Sequence, residues 1–109
     1  MSAPYRIGFI DLSAQKEYLS LDGSVRRLVD NGLMRLRARA DEIGKPLSGT
    51  LAGCKELKFR AIGIRVIFRI VARQVEIVEI VAIGSRDKGS VFATAQRRLS
   101  KAQDGPAGS

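Results

Sequence analysis

Apolar and polar positions alternate most cleanly from Lys55 to Ile70, KELKFRAIGIRVIFRI, on both sides of a turn at Ala61, Ile62 and Gly63. Leu57, Phe59 and Ala61 fall on one face of a first strand, with Glu56, Lys58 and Arg60 on the other. On a second strand Ile64, Val66, Phe68 and Ile70 face one way, and Arg65 and Arg69 face the other with Ile67 between them. A period of two is the mark of strands that bury one face and leave the other to polar side chains. This hairpin therefore offers a basic surface backed by an apolar one. Such cations can be simply solvated, can guard a sheet edge against pairing, or can bind an anion.

Around the hairpin the period changes. YRIGFI at Tyr5 to Ile10 reads as a short strand, after which Asp11 and Ser13 can cap a short helix through Tyr18 and Leu21. Val25, Leu28, Val29, Leu33, Leu36, Ala40 and Ile43 then recur at three- and four-residue steps, the stripe of an amphipathic helix. Ser24 is its expected N-cap, Gly44 its left-handed C-terminal cap, and Pro46 a bar to continuation. Arg26, Arg27, Arg35, Arg37 and Arg39 lie mostly off the stripe, as a solvated outer face that raises the local positive potential. Lys45 to Gly53, KPLSGTLAG, reads as loop. Val71 to Gln74 form a second turn into Val75 to Ile83, VEIVEIVAI, whose apolar residues on both faces predict an internal strand beside the second hairpin strand. After Gly84 the polar SRDKGSVF leads to Ala93 to Leu99, a short helix or a segment along the sheet edge. Residues 100–109, rich in Gly, Ala, Ser and Pro, read as a disordered tail. The expected architecture is α+β: strand, helix, helix, then three strands in an antiparallel meander. Two helices cover one face, a short C-terminal segment follows, and Lys58, Arg60, Arg65 and Arg69 occupy the opposite face.

Composition sharpens this. The 109 residues suit a single domain, 1–99, and a hydrophobic share of 45% favours folding. Nineteen Lys and Arg against eleven Asp and Glu give a net charge of +8, which favours a polyanionic partner, nucleic acid first. The single Cys54 cannot form an internal disulfide and reads as a small buried residue at a strand entrance. With no histidine, the commonest general base is missing, and no metal-binding spacing or glycine-rich phosphate loop occurs. No apolar run approaches the roughly 20 residues of a membrane span, so no membrane partner and a cytoplasmic location are expected.

The ordered features GKPLSGTLAG after the long helix, then ELKFR, GIRVIFRIV, VEIVEIVAI and IGSRDKGSVF resemble the RelE/ParE superfamily of toxins from prokaryotic type II toxin–antitoxin systems. The likeness spans Phe9 to Leu99, and the retained cations favour the RelE branch. The resemblance implies a metal-independent endoribonuclease, without cofactor, that cuts mRNA on the ribosome and is neutralised by a cognate antitoxin. Operator DNA would be reached only through that antitoxin. By the same analogy Lys58, Arg65 and Arg86 would be catalytic, and Arg60, Lys88 and Phe92 would contact RNA. Two family positions differ here: a catalytic aromatic, commonly tyrosine, falls at Phe92, and a lysine falls at Glu56.

RNA carries its own nucleophile, the 2′-hydroxyl. Cleavage needs in-line geometry, removal of that proton, charge stabilisation on phosphate and protonation of the leaving 5′-oxygen. Guanidinium groups suit the phosphate, so Arg65 and Arg86 are assigned to it. Lys58 is the expected base if crowding by Arg60 and Arg65 disfavours its charged form. Glu56, on the same face, is expected as a cross-strand ion pair, with a carboxylate base as the other option. Phe92 can stack on a base or simply pack. Two further readings stay open: a non-catalytic gyrase inhibitor in the ParE manner, and an inactive relative that only binds an antitoxin.

Overall fold

The computed structural model describes residues 4–72, 76–85 and 89–104. The chain runs β1 (Tyr5–Phe9), α1 (Leu12–Leu19), α2 (Gly23–Arg39), β2 (Lys45–Pro46), β3 (Lys55–Phe59), β4 (Ile64–Ala72), β5 (Glu76–Ser85) and α3 (Ser90–Asp104), with 3₁₀ turns at Gly49–Leu51 and Arg60–Ile62. It is the α+β arrangement the pattern predicts. The five strands are ordered β1-β5-β4-β3-β2. The β3–β4–β5 meander is antiparallel, and β1 adds to β5 in parallel, so β5 is internal as its two apolar faces require.

The first sheet face holds the larger core. Val29, Leu33, Leu36 and Ala40 of the α2 stripe are buried against Leu57, Val66, Phe68, Val78 and Ile80, and Tyr18 of α1 packs beside them. Leu28 departs from the expected stripe: it is 45% exposed. Gly32 takes part in the packing instead, because a Cβ there would overlap the Phe59 ring.

The helix ends are made by other residues than the expected ones. Asp11 caps α1 as anticipated, its Oδ1 accepting from the Ala14 N–H at 2.9 Å. The N-cap position of α2 is Asp22 rather than Ser24, and the helix stops at Arg39, short of Ile43. Its last carbonyls are answered by Lys55, whose Nζ donates to the Ala40 and Asp41 oxygens at 3.0 and 3.2 Å, a favourable place for a cation. Gly44, with φ of +93°, turns the chain into β2. That two-residue strand lies in the segment expected to be loop, and Pro46 is tolerated there because β2 is a sheet edge.

The second face departs most from expectation. In place of a short C-terminal segment, α3 runs 15 residues and continues to Asp104, into the stretch read as tail. It covers a second cluster made of Leu51, Cys54, Ile67, Val81, Ala82, Val91 and Ala95, with Phe92 and Leu99 at its margin. A β-bulge assists: Ile67 pairs with Ala82 and Phe68 with Ile80, so Val81 is an extra residue on β5. Beyond Phe9, β1 leaves the β5 edge without a strand partner. Side chains take over there. Glu17 accepts from the Ile83 N–H at 3.0 Å, and Arg98 donates to the Val81 carbonyl at 3.0 Å.

Candidate functional site

Strand register gathers the first candidate residues. Lys58 on β3 stands opposite Arg65 on β4, and Arg65 stands opposite Gly84 on β5, forming one row across the sheet. The empty place at Gly84 matters, since a Cβ there would lie 3.3 Å from the Val91 Cβ. Because no side chain fills that space, the first turn of α3 settles onto β5. Gly89, with φ of +65°, leads into that turn, and the Phe92 N–H bonds the Gly89 carbonyl at 3.1 Å. Phe92 is thereby delivered to Arg65, whose guanidinium carbon sits 4.9 Å from the ring centroid. A cation over an aromatic face at this distance is attracted by the ring quadrupole.

Glu56 closes the other side. It shares the β3 face with Lys58, and its side chain is 4% exposed. Its Oε2 lies 2.9 Å from Arg65 Nε and its Oε1 lies 3.9 Å from Lys58 Nζ. The contact to Arg65 is a close ion pair rather than a directional hydrogen bond; neither Glu56 Oε2 nor Arg65 Nε has a hydrogen-bond partner among the described residues. Arg65 is 21% exposed and Lys58 30%. Since Nε is buried, whatever Arg65 offers to a ligand comes from its Nη groups.

The structure thus brings Lys58, Arg65 and Phe92 together, and the ion pair expected of Glu56 is present. One cation is not where alternation puts it, and a second is there but already paired. Arg60 leaves the strand in the 3₁₀ turn and lines a groove with Leu28, Asn31, Arg35 and Phe59, beside α2 rather than in the Lys58–Arg65 row. Lys58 therefore has Glu56 close by, a neighbour that the expectation of crowding by cations did not count. Arg69 lies on the same face as Arg65 but is held by Glu79, Nη2 to Oε1 at 2.7 Å, over the Cys54 side of α3. Arg86 and Lys88 lie outside the described residues.

The described face has no tyrosine to replace Phe92. Tyr5 is buried in the first-face core, and burial together with the nearby Asp41 carboxylate raises its pKa above the ordinary value. Tyr18 donates its hydroxyl to Asp30, and that bond, with burial, raises its pKa as well. Cys54 is buried, which pushes its thiol up and keeps it from acting as a ready nucleophile.

One charged pair was not visible in the sequence at all. Arg98 of α3 meets Glu17 of α1 in a two-pronged contact, Nη1 to Oε1 at 2.8 Å and Nη2 to Oε2 at 2.9 Å. Arg98 is 10% exposed, and its partnership with Glu17 raises its pKa still further. Helices from opposite sheet faces are clasped where β1 has ended.

No protein-family model and no curated protein matches the chain. Solved structures do. A double arginine-to-alanine mutant of Escherichia coli toxin RelE in the free state matches with a TM-score of 0.69 and 23% identity, over 91% of this chain and 99% of that one. The isolated E. coli RelE toxin matches with a TM-score of 0.65 and 26% identity, over 87% and 98% of the two chains. The toxin–antitoxin complex RelBE2 of Mycobacterium tuberculosis matches with a TM-score of 0.61 and 23% identity, over 77% and 93%. Matches that cover 77–91% of this chain and 93–99% of those chains, with TM-scores of 0.61–0.69, make this chain RelE-like in fold.

Proposed function

We propose that the chain is the toxin of a type II toxin–antitoxin pair and that it cleaves mRNA on the ribosome. The observation that carries this reading is Arg65: a cation braced between Glu56 and Phe92, beside Lys58, at one corner of a RelE-like sheet. In the reaction the 2′-oxygen attacks phosphorus and the bond to the 5′-oxygen breaks. One proton leaves the 2′-hydroxyl and one reaches the departing 5′-oxygen, giving a 2′,3′-cyclic phosphate and a 5′-hydroxyl. Arg65 meets the charge that develops on the phosphate, and a pre-set donor is worth about 10²–10³ in rate. Lys58, the partly exposed amine of the row, is the group placed to exchange a proton with substrate. Arg86 and Lys88, which follow β5 in the chain, are the further cations that the family likeness assigns to the RNA. Phe92 gives one ring face to Arg65, and in this reading its part is played through that residue.

An antitoxin partner fits the same reading, since a RelE mutant is solved with an antitoxin peptide. The groove of Leu28, Phe59, Ala61 and Ile62, edged by Arg35 and Arg60, suits an acidic segment that folds on binding. Operator DNA would be engaged through that partner, and the site of action is the cytoplasm.

Induced expression should arrest growth and create new 5′ ends inside translated messages, and Arg65→Ala with Arg86→Ala should abolish both. Intact messages with DNA-damage signalling would favour the gyrase-directed reading, which the missing hydroxyl at Phe92 and the sequestered Tyr5 and Tyr18 make the strongest rival. Growth without any phenotype would leave an antitoxin-binding relative.

A further inference from the structure

A buried carboxylate is an odd component for a site that grips phosphate. Glu56, 4% exposed, is the one charged residue among the described ones that is buried. It reduces the formal charge of the Lys58–Arg65 pair from +2 to +1, which opposes RNA binding at the place where binding is wanted. A buried charge must also be matched by partners to be tolerated. For RNA affinity alone, a neutral residue here would serve better.

The geometry gives the carboxylate a different task. Arg65 is flanked on two sides, by Glu56 Oε2 at 2.9 Å from Nε and by the Phe92 ring at 4.9 Å from the guanidinium carbon. The absent side chain at Gly84 is what lets the second wall approach. An arginine on a free stem must be ordered as the transition state forms, whereas a fixed one stabilises developing charge without reorganising. We propose that Glu56 is a positioning residue for Arg65, giving up part of the site's RNA affinity to hold the guanidinium in its working orientation. The catalytic half of this inference rests on the endonuclease reading above.

Glu56→Gln keeps the shape and removes the charge. Three quantities are read on the folded protein: affinity for a short single-stranded RNA at low salt, single-turnover cleavage on programmed ribosomes, and the Arg65 Nε–Hε NMR signal. Removing the negative charge should tighten RNA binding by about 3–10-fold, while cleavage slows by about tenfold or more. In an Arg65→Ala background the same substitution should change cleavage by less than about twofold, because residues acting as one unit are not additive. A purely structural role would not raise affinity while lowering rate. Wild-type cleavage in Glu56→Gln, or an equal loss in the Arg65→Ala background, would overturn the proposal. The NMR signal separates this inference from the endonuclease reading. If the wild-type protein cuts no RNA, that reading fails, yet a resolved Arg65 signal that collapses in Glu56→Gln still supports positioning. A signal unchanged by the substitution overturns it. Should Glu56→Gln not fold, Phe92→Leu removes the other wall without altering charge. Cleavage should then fall at unchanged RNA affinity, and unaltered cleavage would refute the inference.

Discussion

The two faces of the sheet are built on different terms. The first is apolar and periodic: α2 lays Val29, Leu33, Leu36 and Ala40 on Leu57, Val66, Phe68, Val78 and Ile80. The second mixes a smaller cluster under α3 with three charged contacts, Glu56 with Arg65, Arg69 with Glu79, and Glu17 with Arg98. Hydrophobic burial is non-directional and scales with area, so the first face confers stability with little say over orientation. Ion pairs contribute little net stability when both partners are present, but they set where side chains point. The first face holds the domain together, and the second arranges it.

Substitutions at the first face should therefore be the most damaging to stability. Phe68 is fully buried, and Phe68→Ala should lower the unfolding free energy by about 3–5 kcal/mol. Denaturant titration measures this, and a loss below about 1 kcal/mol would remove the distinction between the faces. The clasp between α1 and α3 comes next. Arg98→Ala leaves Glu17 without its partner and the Val81 carbonyl without its donor. Glu17 is about one-third exposed, so water recovers part of the interaction. A loss of about 1–3 kcal/mol is expected, with Glu17→Ala plus Arg98→Ala losing less than the sum of the singles.

A smaller effect tests how α3 is seated. Gly84→Ala puts a Cβ 3.3 Å from the Val91 Cβ, which must yield by a few tenths of an ångström. Stability should fall by about 1 kcal/mol, and the chemical shifts of Phe92 should move as α3 lifts from Arg65.

The smallest effect belongs to alkaline pH. Tyr18 and Tyr5 have raised folded-state pKa values, Tyr18 through its bond to Asp30 and Tyr5 through burial. Each favours the fold in its neutral form. That stability is fully present below the ordinary tyrosine value of about 10 and is lost as pH rises through the folded value. Unfolding curves from pH 8 upward should show it, and Tyr18→Phe should remove the Tyr18 share.

What could be read from the sequence follows the same division. The α2 stripe, the hairpin and the internal β5 each bury a regular face, so period alone exposed them. Arg60 was misplaced because the turn tightens into 3₁₀ geometry and Gly63, at φ of +64°, ends it, which takes Arg60 out of the alternation. The length of α3 was hidden because its packed positions, buried Val91 and Ala95 with half-buried Phe92 and Leu99, form a thin stripe in a polar sequence. Glu17 and Arg98 are 81 positions apart, and no local pattern links them. In the candidate site, Lys58 and Arg65 were legible from alternation and family likeness. The buried state of Glu56 was not, since a carboxylate between cations on an alternating strand looks the same whether it faces water or is shut in against Arg65.

Arg65 performs chemistry that its share in the fold, as the partner of buried Glu56, does not account for. The direct measurement is single-turnover cleavage of mRNA on purified ribosomes by wild-type protein and by Arg65→Ala, with unfolding free energy determined on the same samples. The expected result is a rate loss of about 10²–10³-fold in a protein that still folds, with a stability loss of about 1–3 kcal/mol from leaving the buried Glu56 without its nearest partner. Equal cleavage by the two proteins, or a rate loss explained wholly by unfolding, would contradict it.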